Sequence, residues 1–464
     1  MQLGDLLDDA TLDVATASVE IEHVELDSRR CVPGTLFLAL PGHTTDGARF
    51  VVEARDRGAV AVLADHHLDV GIPVVVVPTS QLRALASHAS AAIVGHPELE
   101  LELVAVTGTN GKTTIVTVLE QMARQLGWNG ASIGTLTGER TTPAAPDLFR
   151  RLRGLVDGFD PARRRLVALE VSSHALDQGR VDGLRFAASI FTNLGHDHLD
   201  YHHTMEEYFQ AKARLFTPEL SRLGVIWTGD AFGARLAELT AIGCIPVSRD
   251  DASSVTLSMV GATFFWRGHL VRSPLVGAFN VDNALLALTT LASLGAPEDE
   301  VVDALSGVQP VSGRFDVVHE GDFTVVVDFA HTPEGLARIL GDVRELRPTA
   351  ALTVVFGCGG DRDVLKRPEM GSVAGRFADR VVVTSDNPRS EDPESIIDAV
   401  VSGLDAGRDY HREADRREAI AWALKSAQPG DVVVIAGKGH ETTQTLADRV
   451  IPFDDRDVVR EILG

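Results

Sequence analysis

Residues 103–122 read LVAVTGTNGKTTIVTVLEQM, an apolar run, a glycine turn and an amphipathic segment. Gly108 and Gly111 allow the backbone to curl around Thr109 and Asn110 so that successive N–H groups point inward. The helix start that follows adds its dipole, and Lys112 adds a full positive charge. The hydroxyl of Thr113 or Thr114 is of the kind that holds Mg²⁺ beside bound phosphates. The usual phosphate-loop pattern has a glycine where Val106 stands, so this is a shortened form. An ordinary strand-to-helix turn is the alternative, and Lys-Thr-Thr argues against it. The chemistry indicated is nucleoside triphosphate binding.

Two further stretches carry candidate ligands. ALEVSSHALDQGRVDGL (168–184) ends a strand-like run at Glu170, where a carboxylate near a phosphate loop suits a metal ion; a capping or solvent-facing glutamate is the other reading. FTNLGHDHLDYHHTMEEYFQAKARLF (191–216) packs His196, His198, His202 and His203 into eight residues. Without cysteines or a distant ligand pair the four do not read as zinc ligands, and His202 and His203 read as surface histidines. Lys212 reads by itself as a solvated helix lysine, and Asp328 in VVDFAHTPEGL (326–336) equally as a helix cap or a ligand.

The C-terminal third has three charged, glycine- or proline-containing loops, each after an apolar run: GCGGDRDVLKRPEMG (357–371), SDNPRSEDP (385–393) and AGKGHETTQ (436–444). Strand-end loops of a parallel sheet converge on one edge. Arg389 behind the rigid Pro388, with Lys438 and Glu441, suits a zwitterionic amino acid: arginine grips a carboxylate and glutamate takes an ammonium. Three unrelated turns are the alternative.

The elements that must position these groups are short Val/Ile/Ala runs alternating with helical patterns. AVAVLA (59–64), RLVALEV (165–171), TVVVDFA (324–330), LTVVFG (352–357), RVVVTSD (380–386) and DVVVIAG (431–437) are apolar throughout, as in parallel sheets covered on both faces. TTIVTVLEQMARQLG (113–127) and NVDNALLALTTLASLG (280–295) carry helical periodicity. The fold class is α/β. Polar joints at 95–102 and 307–316 divide the 464 residues into domains near 1–97, 98–309 and 310–464.

A formal charge of -23 and 5% aromatic residues argue against a nucleic-acid partner. No apolar stretch is long enough to span a membrane, and the N-terminus lacks a signal peptide's features. Three scattered cysteines read as reduced thiols of a cytoplasmic protein.

TGTNGKTT (107–114), with LDSR (26–29), the 168–216 motifs, Asp-Asn-Pro-Arg (386–389) and AGKGHE (436–441), resembles the Mur ligase family over nearly the whole chain. The resemblance implies three domains: an N-terminal UDP-sugar domain, a central P-loop ATPase and a Rossmann-like C-terminal domain. It also implies ATP-driven amide formation in peptidoglycan synthesis, in which the carboxylate of UDP-N-acetylmuramoyl-L-alanyl-D-glutamate becomes an acyl phosphate that meso-diaminopimelate displaces. ATP and Mg²⁺ are the implied co-substrate and metal, and the expected state is a monomer.

By the same resemblance Asn193 and His198 line the γ-phosphate and metal, and Lys212 is carbamylated (N6-carboxylysine) as an oxygen ligand. Asn283, Arg314, Asp328 and His331 serve the nucleotide. Leu26, Ser28, His43, Thr44 and Thr45 serve the uridine, and Thr141, Thr142, Ser172, Gln178 and Arg180 the peptide and phosphates. Arg367, Asp386, Asn387, Pro388, Arg389, Gly437 and Glu441 form the acceptor site, with Arg389 on the second carboxylate that lysine lacks. The chain departs from the family pattern at Arg140 (commonly Asn), Asp316 (Glu) and Phe329 (Tyr). A sister ligase with lysine or another acceptor, or a nucleotide-binding module without catalysis, remains as an alternative.

Overall fold

The computed structural model describes residues 1–7, 12–42, 45–138 and 140–464. The described residues form two compact units: Met1–Gly108, Leu119–Thr192 and Glu206–Pro246 in the first, and Thr109–Val118, Asn193–Met205 and Val247–Gly464 in the second.

The first unit holds two sheets. One has four parallel strands, in the order His23–Glu25, Thr35–Leu38, Ala59–Ala64 and Val74–Val76. Leu82, Ala86 and Ala89 of helix Thr79–Ala92 cover one face; Val51 and Ala54 lie under the other. The second sheet has six strands with Glu102–Thr107 inside it, parallel to Arg165–Glu170 on one side and Ala188–Phe191 on the other. Leu166, Val167, Ala168 and Leu169 are all buried, so both faces are covered, as an unbroken apolar run requires.

The second unit holds an antiparallel sheet of Ala252–Ser258, Gly261–Trp266 and His269–Ser273, followed by helices Ala278–Ser293 and Glu298–Ser306. Its last sheet runs Asp316–Glu320, Thr324–Asp328, Val432–Ala436, Leu352–Phe356, Arg380–Val383 and Tyr410–Arg412. Only the Asp316–Glu320 edge is antiparallel. Helices Pro333–Leu346, Lys366–Phe377 and Pro393–Val401 pack on one face, and Arg416–Ser426 and Asp455–Leu463 on the other.

The expected apolar runs all appear as strands within a residue or three of their expected ends. The antiparallel pieces went unread: their strands alternate inward and outward residues, as Gly261–Trp266 does, and so give no continuous apolar run. No helix among the described residues is long and apolar enough to cross a membrane, and all three cysteines are free thiols.

Candidate functional site

Helix Lys112–Gln125, whose residues up to Val118 belong to the second unit, starts immediately after the glycine turn. Gly111 adopts φ +86°, and a Cβ there would come 2.6 Å from Asn283 Oδ1, so the position needs glycine on both counts. Asn193 staples the loop: its Oδ1 accepts from Asn110 N (3.0 Å), its Nδ2 donates to Asn110 O (3.2 Å), and its carbonyl accepts from Thr109 N (2.9 Å). Lys112 Nζ donates to Thr109 O at 2.8 Å. Thr113 and Thr114 are buried, and Thr113 Oγ1 accepts from Arg314 Nη2 at 3.1 Å.

Arg314 lies 4.4 Å over the Phe329 ring, which also meets His331 and His440 at centroid distances of 4.6 and 5.0 Å. Phenylalanine therefore preserves a stacked site without the hydroxyl. Asp316, the shorter carboxylate, accepts from Gly313 N at 3.0 Å. Asp328 accepts from Phe315 N (2.7 Å) and Ala330 N (2.8 Å). Burial pushes its carboxyl up, against the pull of Arg314. Burial and the Lys366 ammonium lower the His331 pKa.

His198 takes φ +55°, unusual for a bulky residue, and its Nε2 lies 3.6 Å from Asp197 Oδ2. Burial raises the Asp197 carboxyl, but His198, His331 and Lys112 outweigh it and hold it below the ordinary value. Asp197, which the motif reading passed over, thus lies among Lys112, His198 and His331. His203 is exposed as expected. His202 is not: it is buried, edge-on to Tyr201 at 4.7 Å, because the short Leu199–His202 helix turns it inward. Among the described residues no three His, Cys, Asp or Glu side chains form a metal-binding group.

In the first unit, Lys212 is no solvated lysine. It is 1% exposed, donates to Gly108 O at 2.9 Å and lies 4.6 Å over the Tyr208 ring. Glu170 is equally buried, and its Oε1 accepts from Thr135 N at 2.9 Å. Thr142 Oγ1 donates to the Glu170 carbonyl (2.8 Å) and accepts from Ser172 N (3.1 Å). Arg180 reaches the Thr142 carbonyl (2.9 Å) and Gln178 Oε1 (2.6 Å), and Thr141 meets Thr135 (3.2 Å). Glu170, Thr141, Thr142, Ser172, Gln178 and Arg180 are therefore one network.

Leu26, Ser28 and Thr45 line a separate cleft of about 1230 Å³ in this unit, with Arg140 on its wall. His43 and Thr44 lie outside the described residues. Ser28 Oγ donates to Glu53 Oε2 at 2.7 Å. Arg30 and Arg150 both pair with Glu25 (3.1 and 2.9 Å) and Asp147 (2.9 and 2.8 Å). Burial raises the Glu25 carboxyl, opposed by those two arginines.

The three C-terminal loops of the second unit meet. Gly360 N donates to Asn387 O (2.9 Å), Asn387 Nδ2 donates to Glu441 Oε2 (2.9 Å), and Lys438 Nζ donates to Glu441 Oε2 (2.9 Å) and Asn387 Oδ1 (3.2 Å). Lys438 is fully buried, with Asp386 Oδ1 3.7 Å away. Burial raises the Asp386 carboxyl; Glu441, also desolvated, is held low by Lys438 and Asn387. A Cβ at Gly357 would come 2.9 Å from Asp386 N, which is why the first loop begins on glycine. Gly437, at φ +115°, opens the third loop.

Arg389 follows the buried Pro388 at φ +53° and donates to Gly360 O at 2.6 Å. Arg367 forms a two-pronged pair with Glu391 (2.9 and 2.8 Å). Glu391 went unread because a lone acid in SEDP has no signature; its partner lies 24 residues away. The arrangement offers ammonium, guanidinium and carboxylate groups in one loop cluster, the complement of an amino acid bearing several charges.

Family models match along the chain: Mur ligase family, catalytic domain (20–110), Mur ligase middle domain (106–291), and Mur ligase, glutamate ligase domain (313–439). A curated relative from Geobacillus thermodenitrificans, UDP-N-acetylmuramoyl-L-alanyl-D-glutamate--2,6-diaminopimelate ligase, is 44% identical over 95% of this chain and 94% of its own. One of the same name from Streptomyces coelicolor is 40% identical over 99% and 96%. A solved structure of a ligase of that name aligns with TM-score 0.69 at 32% identity, covering 100% of this chain and 98% of the other. A MurF ligase from Thermotoga maritima in complex with ADP shares the fold, with TM-score 0.65 at 18% identity over 99% and 97%.

Proposed function

The chain belongs to the Mur ligase family, and from that premise we propose that it is an ATP-dependent ligase adding meso-diaminopimelate to UDP-N-acetylmuramoyl-L-alanyl-D-glutamate in peptidoglycan synthesis. The observation that carries the acceptor assignment is the loop cluster in which Asn387, Lys438 and Glu441 are joined by direct hydrogen bonds, with Asp386 3.7 Å from Lys438 and Arg389 tied in through Gly360. A second carboxylate on the acceptor gives Arg389 a partner that lysine cannot offer.

The residues divide the work. The curled loop and Lys112 hold the β- and γ-phosphates, so that the γ-phosphate meets the substrate carboxylate and an acyl phosphate forms. Arg314 and the Phe329 face take the nucleoside side, with Asn283, Asp328 and His331 around it. The Thr141, Thr142, Ser172, Gln178 and Arg180 network takes the peptide and phosphates, and the cleft bordered by Leu26, Ser28 and Thr45 the uridine. The acceptor amine, held by the C-terminal loops, then displaces phosphate and leaves the amide.

Mg²⁺ suits oxygen donors such as the Thr113 hydroxyl and phosphate oxygens, and Glu170, in the first unit, is a carboxylate of the kind it takes. When bound it supplies charge neutralisation on the transferring phosphoryl group, and His198 lies on the same loop as Asn193. Lys212 suits N6-carboxylation. Its amine is buried against a carbonyl and a ring, and the N–H left on a carbamate could still donate to Gly108 O, while the new anionic oxygens would be of the kind Mg²⁺ takes. The protein acts as a cytoplasmic monomer, with working domains near 1–97, 98–309 and 310–464.

Purified protein with ATP, Mg²⁺ and the UDP-dipeptide, offered meso-diaminopimelate, L-lysine and other amino acids, tests the reading. Diaminopimelate is expected in the product by mass, with ADP release lost in Lys112→Ala. Preference for lysine overturns the acceptor assignment.

A further inference from the structure

The strands that end in the Asp386-Asn387 loop and in the Gly437-Lys438 loop are not neighbours. Leu352–Phe356 lies between Arg380–Val383 and Val432–Ala436. Their ends are thus two strand spacings apart, about 10 Å, and no ladder hydrogen bond sets one loop against the other. Yet Asn387, from one, must meet Lys438 and Glu441, from the other, to within hydrogen-bond distance.

Farther out the loops are tied by Gln444 Nε2 to Asp386 O (2.7 Å) and Arg389 N to Thr445 O (3.1 Å), but at their roots, where each leaves its strand, one side chain bonds to the main chain of both. Arg416, the first residue of helix Arg416–Ser426, donates from Nη1 to Ser385 O (3.3 Å) and from Nη2 to Ala436 O (3.0 Å). These carbonyls immediately precede Asp386 and Gly437. The guanidinium is held from behind by Asp455, at the start of the last helix: Nε to Oδ1 is 2.8 Å and Nη2 to Oδ2 is 2.7 Å. Both side chains are 0% exposed. A fully buried pair carries a large desolvation cost and is a poor device for stability alone, since apolar residues of like volume often serve as well. Its carbonyl contacts give it another use. A planar, rigid fork fixes direction as well as distance, which an ammonium cannot do.

We propose that Arg416, oriented by Asp455, is a positioning residue that sets the spacing between the Asp386-Asn387 and Gly437-Lys438 loops and thereby the affinity for the acceptor amino acid. This rests on the acceptor-site reading above. Arg416 touches no substrate; it acts through the main chain of both loops.

The test separates positioning from folding. In the double variant R416M/D455L the buried pair is replaced by apolar groups of similar bulk; in R416K the charge remains but the fork is lost. ADP release is measured while ATP, UDP-dipeptide and meso-diaminopimelate are each varied, with melting temperatures recorded alongside. The expected result is a folded double variant whose KM for diaminopimelate rises about tenfold or more while the KM for ATP stays within about twofold, with R416K in between. An unchanged acceptor KM in the folded double variant overturns the proposal. So does failure of both variants to fold, which assigns the pair to stability. If R416M/D455L alone fails to fold, R416K decides by the same split. Failure of the underlying reading looks different: the unaltered protein itself then releases no ADP with meso-diaminopimelate.

Discussion

The cleft of the first unit and the loop cluster of the second are built from the same chemistry under opposite solvation. In the cleft, Arg30 and Arg150 share Glu25 and Asp147, and the arginine side chains are 48% and 36% exposed. Each charge has two partners, and all but the buried Glu25 also meet water, so no single pair decides the geometry. In the cluster, Lys438 and Arg416 are wholly buried and their partners are three or four atoms at fixed positions. Electrostatic energy per pair is larger there because the local dielectric is lower, and so is the cost of leaving any member unpaired. The wet region tolerates change; the dry one transmits it.

That contrast can be broken by substitution. Lys438→Met should have the largest effect: Asp386 is left buried beside an apolar chain while water partly relieves Glu441, which is 34% exposed, so the loss falls at the low end for a broken buried pair, about 3 kcal/mol, and diaminopimelate-dependent ADP release disappears. Denaturation curves and the acceptor assay check it; a near-normal variant would erase the distinction between the regions. Arg367→Leu comes next. Arg367 is 4% exposed against 30% for Glu391, so water can rescue the acid, and a loss of about 1–3 kcal/mol is expected in the same curves. Arg30→Ala should cost about 0–1 kcal/mol, because Arg150 keeps both acids paired.

The smallest expected effect is in pH dependence, and its sign differs between the regions. The Arg29 side chain holds Asp27, which lines the cleft, at about 2. Asp27 therefore contributes stability that is fully present above its unfolded value near 4 and lost as pH falls toward 2. Asp386 is raised by burial. The folded state then holds its proton more tightly than the unfolded chain, and rising pH through its folded pKa costs stability. Stability measured against pH should lose its acid-side slope between about 4 and 2 in Asp27→Asn, and its fall on the rising side should flatten in Asp386→Asn. Slopes of the same sign for both would show that the two environments are alike.

Much of the candidate site was legible because its residues lie in short contiguous motifs at strand ends. TGTNGKTT forms its loop from local backbone preference, and Asn387 and Glu441 come together because parallel strands must deliver their loops to one edge. Lys212 was legible only through resemblance, since nothing in AKARLF distinguishes a buried lysine from a solvated one; the Tyr208 ring one turn earlier is the sole local hint. The burial of His202, the Arg367–Glu391 pair and the Arg416–Asp455 pair had no signature at all.

What the sequence determines by itself is local: apolar runs that make parallel strands, glycines where φ must be positive, a lysine at a helix start, and a proline before Arg389. These depend on backbone sterics and on residues within a turn or two of one another. What only the tertiary structure decides is which charges are dry. Arg416 meets Asp455 39 residues along the chain, across a sheet face. Desolvation depends on every atom packed around a group, and that surrounding shell is assembled from segments whose order along the chain says nothing about their distance in space.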